Sequence, residues 1–102
     1  MQLITVNELK ERKDAGEELF ILDVREPHEY AEVNMGALLL PLGNVLSMQI
    51  EPIEDWKDKE VIVHCRSGVR SMQACAVLEQ MGFTNTKNLT GGILAWVELN
   101  SK

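Results

Sequence analysis

The chain has 102 residues, 45% of them apolar and 25% charged, the length and balance of one globular domain spanning residues 1–102 with room for a single site. With 16 acidic and 10 basic residues the formal charge is −6, and the only basic grouping is Arg66 with Arg70, so nucleic acid is not expected as a partner. The longest apolar run, Ala37 to Leu42, has six residues, where a membrane span needs about 20. The first residues carry no basic segment ahead of an apolar core. Two cysteines without an export signal fit reduced thiols in the cytoplasm.

Thr5-Val6-Asn7-Glu8 reads as a capping box, the Thr hydroxyl accepting from the amide of Glu8 while Glu8 reaches back. It opens a helix that continues through Leu9 and ends at Gly16. Leu19 to Leu22 is too short and too apolar for a surface helix and reads as a buried strand, with Asp23 at its carboxyl end. Pro27 suits the first turn of a short helix, and Glu29 suits its positive end. Leu38-Leu39-Leu40 is a second strand candidate. Val45 to Ile50 has the length of one or two helical turns, which Pro52 is expected to stop. Val61-Ile62-Val63-His64 is the strongest strand, β-branched and apolar. After the loop Cys65 to Arg70, residues Met72, Cys75, Ala76, Leu78 and Met81 keep helical spacing up to Gly82. A strand near Lys87-Asn88-Leu89, the turn Thr90-Gly91-Gly92 and a helix carrying Ile93, Leu94, Trp96 and Val97 complete an alternation that predicts an α/β domain with a largely parallel sheet.

The loop between the strongest strand and the helix after it is where chemistry is expected. Unpaired amides at a helix start, together with the helix dipole, make such a loop bind anions, and the carboxyl end of a parallel strand is the ligand side of an open sheet. Cys65 stands there. A free thiol titrates near ~8.5 and falls to roughly 3.5–7.5 beside arginine at a helix N-terminus, which makes it an activated nucleophile. Gly68 permits the tight turn, while Arg66 and Arg70 add permanent charge that can hold an oxyanion, although both also suit a solvated surface. Ser67 and Ser71 read as helix caps as readily as substrate contacts. His64 reads as a strand residue with a satisfied side chain in preference to a base. Cys75 lies about 10 Å along the helix at 1.5 Å per residue, beyond the ~7 Å reach of a disulfide to Cys65, and reads as core. No metal site is expected, because His28 and His64 are far apart and neither cysteine has a CxxC partner.

Four segments in order resemble the rhodanese family of sulfurtransferases, in particular its single-domain members. They are Asp23 to Tyr30, then Gly36-Ala37 with Pro41-Leu42, then Cys65-Arg66-Ser67-Gly68-Val69-Arg70-Ser71, and finally Thr90-Gly91-Gly92 with Trp96. The resemblance implies a rhodanese-like α/β fold, with a central, mainly parallel five-stranded sheet flanked by helices on both faces, and no cofactor. It also implies a ping-pong reaction. Cys65 takes a sulfane sulfur from a donor such as thiosulfate, becomes a persulfide and passes the sulfur to cyanide, a thiol or a protein. In family terms the amides from Arg66 through Ser67, Gly68 and Val69 to Arg70 hold the persulfide, Arg70 assists donor binding, and Asp23 and Arg25 are structural, locking the first strand against the active loop. Ala31 to Met35 departs from the family pattern, which is commonly a residue longer and carries a Gly-His-Ile type stretch.

Two other classes fit parts of the pattern. Cysteine phosphatases and arsenate reductases share a Cys-loop-Arg signature, but with five residues between Cys and Arg, whereas Cys65 and Arg70 enclose four; the smaller ring suits one sulfur atom. A regulatory or carrier module acting on a protein partner would use the same fold, and a sulfur-relay protein is therefore an alternative to a small donor and acceptor. The acidic surface would favour a basic partner.

Overall fold

The computed structural model describes residues 1–101. In chain order the elements are β1 (Gln2–Ile4), α1 (Val6–Asp14), β2 (Phe20–Asp23), α2 (Pro27–Glu32), β3 (Leu38–Leu39), α3 (Leu42–Leu46), a 3-10 turn (Glu51–Trp56), β4 (Glu60–His64), α4 (Val69–Gln80), β5 (Asn85–Leu89) and α5 (Gly92–Asn100). The strands form one parallel sheet in the order β1-β5-β4-β2-β3. The most apolar strand, β4, lies at its centre.

Alternation along the strands divides the core between two faces. Leu22, Val61 and Val63 pack with Val45 of α3, Ile53 of the 3-10 turn and Ala74, Cys75 and Leu78 of α4. Ile21 and Ile62 turn the other way, onto Leu9 of α1, with Trp96 of α5 against the same cluster. Helices therefore cover both faces, as a parallel sheet buried on both sides requires.

The capping box at Thr5 is present, with the Glu8 amide donating to Thr5 Oγ1 at 3.1 Å, and Pro27 occupies the first turn of α2. Three expectations need correction. The strand β1 has no counterpart in the sequence reading: only Ile4 of its three residues is buried, and it exists through pairing with β5, Gln2 opposite Lys87. Pro52 does not stop a helix spanning Val45 to Ile50. The helix α3 already ends at Leu46, and Pro52 sits in the first turn of the 3-10 helix, where its fixed φ is an advantage. Met72 and Ala76 follow the helical spacing but are exposed, the buried stripe of α4 being Ser71, Ala74, Cys75 and Leu78. No helix among the described residues is long and apolar enough to cross a membrane.

Candidate active site

The strand β4 ends at His64, and the chain turns through Cys65 to Gly68 into α4. Gly68 occupies the N-cap position with φ +118°, a conformation costly for any residue with a Cβ. That turn folds the loop over the sulfur. Cys65 is 1% exposed, and its Sγ accepts from the Gly68 amide at 3.1 Å and lies 3.4 Å from Ser71 Oγ. Burial pushes this thiol up. The Ser71 hydroxyl, in the orientation that donates to sulfur, and the amides of Ser71, Gly68 and Ser67 pull it down and prevail, leaving it below the ordinary thiol range. The outcome is a buried sulfur poised to ionise beside amide donors.

Behind the loop, α5 fixes the peptide planes. The amide of Ile93 donates to Cys65 O at 2.9 Å and that of Leu94 to Arg66 O at 3.2 Å, so the first turn of α5 holds the loop carbonyls outward. Gly92 makes this approach possible, because a Cβ there would lie 2.5 Å from the oxygens of both Cys65 and Arg66.

The two arginines have different fates. Arg70 donates through Nη1 and Nη2 to the two carboxylate oxygens of Glu29 at 2.7 and 2.9 Å, a bidentate pair that holds the Glu29 carboxyl down at about 2. Arg66 is exposed and forms no ion pair among the described residues. It lines a cavity of about 430 Å³ beside the loop, together with Arg25, Glu29, Val33, Ile93 and Leu94. The exposed side chain of Val69 faces solvent, so what Val69 can offer the sulfur is backbone.

Asp23 and Arg25 form a buried ion pair, side chains 0% and 3% exposed. The Arg25 guanidinium donates to Asp23 through Nε at 3.0 Å and Nη2 at 2.8 Å. It also reaches the carbonyls of Glu29 at 3.3 Å and Val33 at 2.7 Å. The pair therefore ties the end of β2 directly to α2. Its link to the active loop runs through the Val24 amide on His64 O at 3.1 Å and the approach of His64 Nε2 to Asp23 Oδ2 at 3.6 Å.

Two readings of side chains change here. His64 is fully buried on β4 as expected, but it is not satisfied: Nε2 has no hydrogen-bond partner among the described residues. Burial lowers its affinity for a proton. Ser67 and Ser71 do not cap α4, since Gly68 holds the cap position and the helix start has no side-chain cap hydrogen bond. Ser71 Oγ stands instead between Asn88 Oδ1, to which it donates, and the Cys65 sulfur 3.4 Å away. Cys75 is core as read, fully buried on α4, a free thiol pushed by burial up to about 11. The sequence reading missed Glu29 as the partner of Arg70, and it missed Asn88, which bonds to both Ser71 and Gly68. The one local signal for Asn88 was an amide two residues before Thr90-Gly91-Gly92.

The family model for the rhodanese-like domain matches residues 5–99. YtwF of Bacillus subtilis (strain 168) is 42% identical over 94 residues, 91% of this chain and 87% of that protein. A protein of Allochromatium vinosum named Sulfurtransferase is 42% identical over 91 residues, 86% of this chain and 80% of its own length. The crystal structure of a rhodanese-like domain protein from Staphylococcus aureus superposes with a TM-score of 0.82 at 30% identity, covering 94% of this chain and 91% of that one. The chain also aligns with a module of a longer relative, the maize Adenylyltransferase and sulfurtransferase MOCS3-1, at 33% identity over 91% of this chain and 21% of that protein.

Proposed function

Because this chain belongs to the rhodanese-like family, we propose that it is a sulfurtransferase in which Cys65 is the sulfur-carrying nucleophile. The carrying observation is the Cys65 sulfur itself, at the end of β4, fed by the Gly68 amide and held below the ordinary thiol range. The thiolate attacks the outer sulfur of a donor such as thiosulfate. The donor S–S bond breaks, sulfite leaves with the bonding pair, and Cys65 becomes a persulfide. A nucleophilic acceptor, cyanide or a thiol, then takes the outer sulfur and restores the thiolate. The amides from Arg66 to Arg70 form the persulfide cradle, and the four residues between Cys65 and Arg70 leave a ring sized for sulfur. Arg66 supplies the charge for an anionic donor, whereas Arg70 serves it only by sharing or giving up Glu29. Both cysteines are free thiols, which suits a reducing compartment such as the cytoplasm.

A second reading uses the same chemistry with protein partners, and the alignment with a module of the maize protein favours it. There Cys65 would receive sulfur from a protein donor and deliver it to a protein acceptor.

Intact-mass spectrometry after thiosulfate treatment tests the first reading. A gain of one sulfur, absent from Cys65→Ser and removed by cyanide with formation of thiocyanate, is the expected result. Loading from a protein donor without loading from thiosulfate would favour the relay. Cys65-dependent hydrolysis of an aryl phosphate with no sulfur uptake from either source would overturn both.

A further inference from the structure

Asn88 is 3% exposed within β5, opposite Val63 of β4, and a buried amide is costly unless its polar atoms are paired. Both of its partners belong to the active loop or to α4, the helix that follows it. Nδ2 donates to Gly68 O at 3.1 Å, and Oδ1 accepts from Ser71 Oγ at 2.5 Å. Gly68 in turn donates its amide to Cys65 Sγ, and Ser71 Oγ stands 3.4 Å from the same sulfur. Sulfur, Gly68, Asn88 and Ser71 thus close a ring.

The directions around this ring follow by elimination. Gly68 O can only accept, so the Asn88 atom facing it is the nitrogen. Oδ1 therefore faces Ser71 and, being a carbonyl oxygen, takes the hydroxyl proton. A hydroxyl has one proton to give. Toward Cys65 the Ser71 oxygen then presents lone pairs, which receive an S–H and repel a thiolate.

We propose that Asn88 is a positioning residue for Cys65: it holds the Ser71 proton and the Gly68 peptide, so that Ser71 accepts from the resting thiol and the thiolate forms when that hydroxyl swings from Asn88 to sulfur. In the swing the thiol proton leaves to a solvent base, the Ser71–Asn88 hydrogen bond breaks and a Ser71–thiolate hydrogen bond replaces it. Asn88 touches no reacting atom. Its two bonds act in opposite senses, the hold on Ser71 opposing the thiolate and the clamp on Gly68 favouring it. The proposal rests on the reading of Cys65 as the nucleophile.

The test is the pH dependence of Cys65 alkylation by iodoacetamide, read peptide by peptide so that Cys75 is counted apart. It compares the natural chain with Asn88→Leu, Ser71→Ala and the double variant. Losing the amide frees the hydroxyl for sulfur, so Asn88→Leu should move the midpoint downward by about one pH unit more when Ser71 is present than when alanine replaces it. Equal shifts in the two backgrounds, the result of a merely structural role, would overturn the proposal. Asn88→Asp keeps the acceptor for Ser71, loses the donor to Gly68 and adds negative charge; its midpoint should rise, and a fall would also overturn it. If thermal melts show that Asn88→Leu does not fold, Asn88→Ala carries the same expectation. Sulfur loading of the natural chain is measured in parallel. Absent loading with coupled shifts would sink the sulfurtransferase reading alone, and normal loading with equal shifts would sink this proposal alone.

Discussion

Substituting alanine at Gly92 perturbs the close approach of α5 to the active loop. The added Cβ would lie 2.5 Å from Cys65 O and from Arg66 O and 2.7 Å from Arg66 C, all backbone atoms that cannot rotate away. The residue also has φ +56°, which costs an L-residue with a side chain about 1 to 2 kcal/mol. Overpacking adds about 1 to 3 kcal/mol, so the total is about 2 to 5 kcal/mol out of the ~5 to 15 kcal/mol that holds a domain together. Gly16 supplies the control, because it has φ +77° with nothing within 4 Å of an added Cβ; Gly16→Ala should cost the conformational part alone. Urea titration of both variants measures the difference, and the melting temperature of Gly92→Ala should fall by about 8 °C or more. Any folded fraction should also take up sulfur poorly, since the amides of Ile93 and Leu94 can no longer hold the loop carbonyls. Costs for the two substitutions within about 0.5 kcal/mol of each other would refute the close-approach argument.

The remaining predictions concern charge and protons. Cys75→Ser should keep most of the sulfur uptake that Cys65→Ser abolishes, as intact-mass loading would report. The Cys75 thiol is raised from 9.0 to about 11 in the folded chain, so the unfolded chain ionises first. Stability is unaffected below about pH 9 and declines as pH rises toward 11, by about 2 to 3 kcal/mol; denaturant titrations of Cys75→Ala should lack this decline. Glu29 is depressed from 4.5 to about 2, chiefly by the Arg70 hydrogen bonds, so its contribution is present above about pH 4.5 and lost as pH falls toward 2. Acid titration of Arg70→Ala should lose that dependence, which is modest because the pair is partly solvated. For donor use, Arg66→Ala should raise KM for thiosulfate about tenfold more than for a neutral polysulfide, about 1.4 kcal/mol of charge recognition. Arg70→Ala should discriminate less, Glu29 having already neutralised it; a larger effect at Arg70 would reverse these roles.

What the residues determine by themselves is whatever is contiguous. The apolar β-branched run Val61 to Val63, the turn at Gly68 and the helix after it lie within 20 residues of chain, so the position of Cys65 at a strand end is legible in the pattern. The capping box at Thr5 and the first-turn Pro27 are local for the same reason. Tertiary structure decided what depends on separation. Glu29 meets Arg70 across 41 residues and Asn88 meets Ser71 across 17, and no periodicity encodes either pairing. The strand β1, too short to announce itself, is made by its partner β5. Ser71 shows the division most plainly. Its position near a helix start suggested a cap, but the left-handed Gly68 took that place, and the hydroxyl went to Asn88 packed beneath it, its oxygen 3.4 Å from the sulfur. A hydrogen bond goes to the partner that folding brings within reach, and sequence specifies that partner only when it is a near neighbour in the chain.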